Sequence, residues 1–294
     1  MQYPPLFLLT FSLIISGILS AWRQPVLGRA IVPAALAMSL LGLAVVVGIL
    51  GGYVTLVGAG VLAAFVAVAF AATRPDARPA AKIILTSVTA LIALLLAAHF
   101  LPGFNNLRIL DNVKLSTDAK PYTLYANFDK AAVGLVLLAF FCKRSTTWVD
   151  FNHALRKALP LVVLTVGGVL GTALVLGIVK PDFKIPDSIV SFIVINLFFT
   201  CVAEEAFFRG LLQEKLSVIL SSKQYGEKCA IACSALLFGL VHLGGGLAYM
   251  ALATIAGLGY ACIYSATKRI EAPIVAHFLF NLVHFVGFTY PALA

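Results

Sequence analysis

The chain alternates long apolar blocks with short polar breaks, and the block length is the first thing it states. A bilayer core about 30 Å thick takes about 20 consecutive, mostly apolar residues in a helix. Ten segments reach or approach that length, roughly 5–22, 31–50, 52–73, 83–102, 130–142, 158–179, 187–213, 229–243, 247–266 and 271–289. The fifth and eighth are short, so they are expected to be tilted, partly buried, or longer than their apolarity. The expected fold is all-α, a polytopic transmembrane helical bundle of about ten spans. The first block, Pro4 to Trp22, lacks a positively charged start and a clear small-x-small cleavage site. It is expected to be a retained first span rather than a signal peptide.

The polar breaks carry less. Residues 105–130 form the longest of them, mixed in charge, and are expected to be a linker or a lid-like cover. Residues 143–157 are expected to form an interfacial helix, with Trp148 as its anchor and basic side chains at lipid headgroups. His153 in that stretch is expected to be solvated. GGVLG, Gly167–Gly171, has the GxxxG spacing that lets helices approach closely, with packing inside the chain as the default.

Composition agrees with the pattern. Of 294 residues, 61% are hydrophobic and 11% charged, against about 25% charged in soluble domains. The net charge of +9 does not point to nucleic acid, because no basic run is interleaved with aromatics. It is better explained by cytoplasmic loops. Placing Arg23, Arg29, Arg74, Arg78, Lys82, Lys143, Arg144, Arg156, Lys157, Arg209, Lys215, Lys223, Lys228, Lys268 and Arg269 on one side accounts for 15 of 21 basic residues. Arg108, Lys114, Lys120, Lys130, Lys180 and Lys184 fall on the other, beside five aspartates. The positive-inside rule then puts both termini outside the cytoplasm. The five cysteines form no framework for disulfides or a metal site and read as small core residues.

Against this background a few polar residues stand out. FFTCVAEEAFFRGLL, Phe198–Leu212, sets two glutamates and an arginine in an apolar segment. A charge at mid-membrane costs about 2.5–3.5 kcal/mol on insertion scales, so it persists when paired or functional. Glu205 and Arg209 lie four apart and share a helix face. Glu204 is turned about 100° away, so one glutamate is satisfied and the other is a candidate for a cavity. A packing network of all three is the alternative. Further on come Phe238 and His242, then His277, Asn281 and His284 on one helical face. His99 is expected to be interfacial.

Three polar patches on three spans suggest one shared cavity. A glutamate can act as general base, an imidazole can hold or polarise water, and a second imidazole with an amide can donate to an oxyanion. Those are the parts for water attack on a carbonyl without a covalent nucleophile. No serine stands beside a base in a recognisable motif, and an aspartyl pair inside the membrane is absent.

The set Glu204-Glu205…Arg209, Phe238…His242 and His277…Asn281 resembles the three ordered motifs EExxxR, FxxxH and HxxxN of the CPBP family of intramembrane proteases. That family includes type II CAAX prenyl endopeptidases and bacterial proteins of bacteriocin processing or immunity. The resemblance covers about residues 186–289 and implies a protease core there, after an N-terminal transmembrane region, 1–185, of about six spans. It implies Glu204 as general base assisted by His242, His277 and Asn281 as oxyanion donors, and Glu205 with Arg209 as a supporting ion pair. The two glutamates could exchange roles. His284 lies outside the motif. No cofactor is expected under this reading. The mechanistic alternative is zinc held by Glu204, His242 and His277, although HExxH is absent.

The resulting expectation is a multi-pass endopeptidase of a bacterial inner (plasma) membrane, or otherwise of the endoplasmic reticulum. Its partners would be the lipid bilayer and a membrane-embedded or lipidated peptide or protein, with no nucleic acid. A non-catalytic membrane protein binding peptide or lipid, as in bacteriocin immunity, is the second reading. A transporter would spread polar residues over both halves of an inverted repeat, whereas here they cluster in the last third.

Overall fold

The computed structural model describes residues 4–22 and 31–294; Arg23 and Arg29, counted above among the cytoplasmic charges, lie outside the described residues. The chain is mostly helical. Its helices are α1 (Pro5–Trp22), α2 (Ile31–Leu50), α3 (Leu56–Thr73), α4 (Pro79–Ala97), α5 (Phe128–Phe140), α6 (Trp148–Val175), α7 (Ile189–Ile219), α8 (Gly226–Leu240), α9 (Leu247–Thr267) and α10 (Glu271–Gly287). Local chemistry sets several ends. The Thr55 hydroxyl accepts from the Gly58 amide at 3.3 Å and the Thr147 hydroxyl from the Asp150 amide at 3.1 Å, capping α3 and α6. Pro79 opens α4, where its missing N–H costs nothing. Lys268 ends α9 in the left-handed region, at φ 54°.

Each of the ten apolar segments contains a helix, and among the described residues six helices are long and apolar enough to cross a membrane: α1, α3, α4, α6, α7 and α9. The expected helical membrane fold is present, while the count of about ten spans is not reached among these residues. The described part of α2, Ala34–Leu50, and α10 are shorter apolar helices. α5 has 13 residues and α8 has 15. At 1.5 Å per residue, 13 residues rise only about 20 Å.

Three further expectations change. Residues 105–130 hold a two-stranded hairpin, β1 (Leu107–Val113) and β2 (Tyr122–Ala126), so the fold is not purely helical. No separate interfacial helix covers 143–157, because α6 runs unbroken from Trp148 through Pro160 to Val175. Trp148 is exposed at its start, as an interfacial anchor requires. Apart from their own helix backbone and chain neighbours, no described atom lies within 4 Å of where a Cβ would sit on Gly167, Gly168 or Gly171. The GxxxG spacing therefore makes no close helix contact within the described chain.

The chain divides into two compact units. The first contains α1 to α5 and the middle of α7, Phe198–Leu211. Its centre is α5, where Ala131 to Leu138 are all buried. Phe11 of α1 stacks on Phe199 of α7 with centroids 5.2 Å apart and meets Phe128 of α5 edge-on at 6.2 Å. The second unit contains residues 108–125 of the hairpin, α6, both ends of α7 and all of α8 to α10. Within it the C-terminal segment returns to the hairpin, where the Lys120 amide donates to the Ala292 carbonyl at 2.9 Å. α8 packs on α9 around Phe238, whose ring occupies the space that a Cβ on Gly257 would need, 3.0 Å away.

Candidate active site

Three of the motifs' charged residues, Glu204, Glu205 and Arg209, occur in the first unit. α7 is not a regular α-helix: Asn196–Cys201 and Ala206–Gln213 are π-helical, flanking one α-helical turn, Val202–Glu205. In a π segment each hydrogen bond spans five residues rather than four, which widens the turn, and such segments are frequent at functional sites. Both glutamates sit on the α-helical turn between them. Glu205 and Arg209 pair as their spacing requires, Oε1 to Nη1 at 3.1 Å, with both side chains fully buried.

Glu204 is held from a different helix. The Lys130 ammonium on α5 donates to its Oε1 at 2.7 Å, with side-chain exposures of 17% and 14%. The approach of the two helices is set one turn along α5. A Cβ on Gly134 would lie 3.0 Å from the Cα and amide nitrogen of Ala203, so only glycine fits that backbone contact without displacement. The start of α5 is fixed as well. The Asp129 carboxylate, 1% exposed, takes contacts from His99 Nδ1 at 2.7 Å, Asn106 Nδ2 at 3.0 Å and the Lys130 amide at 2.9 Å. Asn106 Oδ1 accepts the Phe128 amide at 2.8 Å. His99 is therefore part of a hydrogen-bond network around Asp129. Lys130 and Arg209, counted above as loop charges, both sit in ion pairs between or within helices.

The second unit carries the histidines and the asparagine. His242 follows the end of α8, and its Nδ1 lies 2.6 Å from the Phe238 carbonyl. A carbonyl oxygen only accepts, so Nδ1 carries the proton and, in the neutral ring, Nε2 carries the lone pair. Phe238 bridges the two motif imidazoles. Its ring is 4.7 Å from His242 and meets His277 edge-on at 5.8 Å. On its other side His277 stacks on Tyr260 of α9 at 4.7 Å and 19°. Phe238, Tyr260 and His277 are all buried. One turn beyond His277, Asn281 Nδ2 donates to Asn196 Oδ1 at 3.1 Å. His284 instead packs on Tyr290, 4.9 Å between centroids, in a cluster where Tyr290 also meets Phe285 and Phe192.

The structure thus joins Phe238, His242 and His277 in one cluster and Glu205 with Arg209 in another. It adds three residues that the motif reading missed. Asn196 is a polar residue in an apolar span, the same signal that singled out Asn281. Lys130 looked like a flanking charge and Tyr260 like an ordinary core aromatic, so neither had a distinguishing signal.

Residues 186–283 match the family model described as Type II CAAX prenyl endopeptidase Rce1-like. That match supports a CPBP-type protease segment within the chain. No curated protein and no solved structure matches. The CPBP segment contains all three motifs, including Glu204, Glu205, Arg209, Phe238, His242, His277 and Asn281, and it ends one residue before His284. Together with the six long apolar helices, it makes the chain an integral membrane protein with a hydrolase segment.

Among the described residues, no group of three or more His, Cys, Asp or Glu side chains is arranged to hold a metal ion. An apolar cavity of about 880 Å³ in the first unit is lined by residues such as Met38, Gly42, Ala63, Val66 and Phe140. None of the candidate catalytic residues lines it.

Proposed function

We propose that the chain is an intramembrane endopeptidase of the CAAX type, acting on a membrane-embedded or lipidated peptide or protein by glutamate-activated water. The observation that carries the reading is the ordered set of three motifs inside the segment that matches the type II CAAX prenyl endopeptidase model. The proposed core is 186–289, with 1–185 as a supporting transmembrane region. The membrane is a bacterial inner membrane, with both termini outside the cytoplasm.

In this reading Glu204 takes a proton from water as the oxygen attacks the scissile carbonyl carbon. His242 assists by accepting from that water through Nε2, a role suited to the tautomer its Nδ1 contact selects. The oxyanion that forms is stabilised by His277 and Asn281. The Asn281 side chain donates to Asn196, which orients its amide in this reading. Collapse breaks the C–N bond, and Glu204 returns its proton to the departing amine. Glu205 and Arg209 hold the helix. Donors placed for a developing oxyanion are each worth about 10²–10³ in rate.

The test compares the N- and C-termini of membrane proteins in cells carrying wild type or Glu204→Gln at matched levels. New termini that vanish with Glu204→Gln and persist with a chelator support the glutamate mechanism. Loss of cleavage on chelation, restored by zinc, selects the metal-dependent alternative. Identical termini in both strains, under conditions where the protein is needed, select peptide or lipid binding without catalysis.

A further inference from the structure

The geometry points to Lys130 as a positioning residue for Glu204, holding the carboxylate of the proposed base from a helix that lies outside the CPBP segment. The inference rests on the reading of Glu204 as base. Lys130 is 74 residues away in sequence, yet its ammonium is 2.7 Å from Glu204 Oε1.

Several observations set this pair apart from an incidental contact. The Lys130 backbone is anchored, because its amide donates to Asp129, which is itself tied to His99 and Asn106. One turn further, Gly134 seats α5 directly on the backbone of Ala203, the residue before Glu204. A lysine side chain has a long flexible stem, so fixing the backbone on both sides of the contact limits where the ammonium can go. The neighbouring Glu205–Arg209 pair is different in kind. It is local, four residues apart, and fully buried. The Lys130–Glu204 pair keeps 17% and 14% side-chain exposure, so it is partly buried where the other pair is fully sealed.

Chemistry gives the contact a purpose. A general base must be ionised before it can take a proton, and apolar surroundings disfavour the charged form of a carboxylate. A cation against one oxygen offsets that penalty and fixes the carboxylate's orientation. A catalytic group moved by about 1 Å can lose 10²-fold in rate. Buried and half-buried ion pairs add little net stability compared with an apolar replacement, so stability alone gives this pair little reason to be there. The first unit thereby contributes more than a scaffold for the protease segment. It supplies the charge that orients its base.

The experiment uses the full chain in lipid nanodiscs. The probe is an internally quenched peptide ending in a farnesylated cysteine and three further residues. Lys130→Met is expected to lower kcat on the order of a hundredfold, as for a misplaced general base, with KM changed less than about threefold. Lys130→Arg, which retains the charge, is expected to recover kcat to within about tenfold of wild type. A double-mutant cycle of Lys130→Met and Glu204→Gln, read by thermal unfolding, is expected to show coupling between the two sites. Lys130→Met retaining kcat within about twofold while Glu204→Gln is inactive overturns this inference and leaves the proposed function standing. Equal impairment of the Met and Arg variants with a matching fall in unfolding temperature also overturns it, as that marks a structural role. Glu204→Gln cleaving as well as wild type removes the proposed function itself. If wild type leaves the probe uncut, the cycle decides: additive effects on unfolding overturn the pairing, and coupling supports it.

Discussion

In the first unit, the two motif glutamates are charges held by opposite charges, Glu204 by Lys130 and Glu205 by Arg209. In the second, the motif residues are neutral-capable groups held by rings and amides. Phe238 contacts both imidazoles, Tyr260 stacks on His277, and Asn196 takes the Asn281 amide. The difference follows from the proposed work. A base has to carry charge in an apolar setting, and charge there needs a counter-charge. A group that polarises or donates has to be oriented, and stacking fixes a ring plane without adding charge. The energies differ accordingly. Stripping one partner from a buried ion pair costs about 3–5 kcal/mol, whereas an aromatic pair is worth about 0.5–1.5 kcal/mol beyond its burial.

The comparison breaks most visibly at Arg209. Arg209→Met leaves the Glu205 carboxylate buried without that partner and is expected to destabilise the protein by about 3–5 kcal/mol. Thermal unfolding in detergent reads this directly. Adding Glu205→Gln should restore part of the loss, because the stranded charge is gone; no recovery would count against the pair as the source.

Next comes the helix contact that sets the Lys130–Glu204 distance. Gly134→Val places a branched side chain against Ala203 and is expected to cost about 1–3 kcal/mol from overpacking. Activity should fall with it as α5 is pushed from α7. A variant that folds and cleaves like wild type would show that the close approach has no role.

The second unit offers a case of burial that works against charge rather than for it. Tyr122 of β2 packs edge-on against Tyr290, 4.9 Å between centroids, and burial pushes its hydroxyl up to about 12, with the Tyr290 hydrogen bond opposing that shift. The folded value is above the ordinary 10.0, so this contribution is complete below pH 10 and is lost as the pH rises toward 12. The loss is about 1.4 kcal/mol per pH unit over that window. Unfolding measured from pH 8 to 12 for wild type and Tyr122→Phe isolates it, since the lysines titrate in both. Parallel curves would refute it.

The smallest effect sharpens the other side. Asn196→Ala removes one neutral hydrogen bond and is expected to cost about 1 kcal/mol of stability. If Asn196 orients Asn281 for catalysis, kcat should fall by more than that stability change accounts for, with KM little altered. A fall in stability with kcat unchanged would make the amide pair structural only.

The helical segments were legible from the sequence because each apolar block is bounded by Pro, Gly or charge, and a helix satisfies its own backbone where lipid cannot. The motif residues were legible for a related reason. Glu204, Glu205, Arg209, His277 and Asn281 are polar in apolar surroundings, and a pair four residues apart needs only helical geometry to meet. The hairpin was less so: LRILDNV and YTLYA sit in a mixed polar stretch without a hydrophobic face strong enough to declare strand. The number of spans was less legible than the helices, since a composition window cannot tell an apolar helix buried in protein, such as α5, from one that crosses a membrane.

What the sequence determined by itself is therefore the class of the molecule, the positions of its helices and the three motifs that match a protease family. Periodicity and spacing are local properties, and these features are local. Tertiary structure alone decided the partners: that Lys130 belongs to Glu204, that Asn196 belongs to Asn281, and that Phe238 and Tyr260 frame His277. It also decided the π-helical turns on either side of the glutamates. Such pairings join residues tens of positions apart, through contacts that depend on how helices pack. A flanking lysine and a buried tyrosine look the same in sequence whether or not they end up against a catalytic side chain.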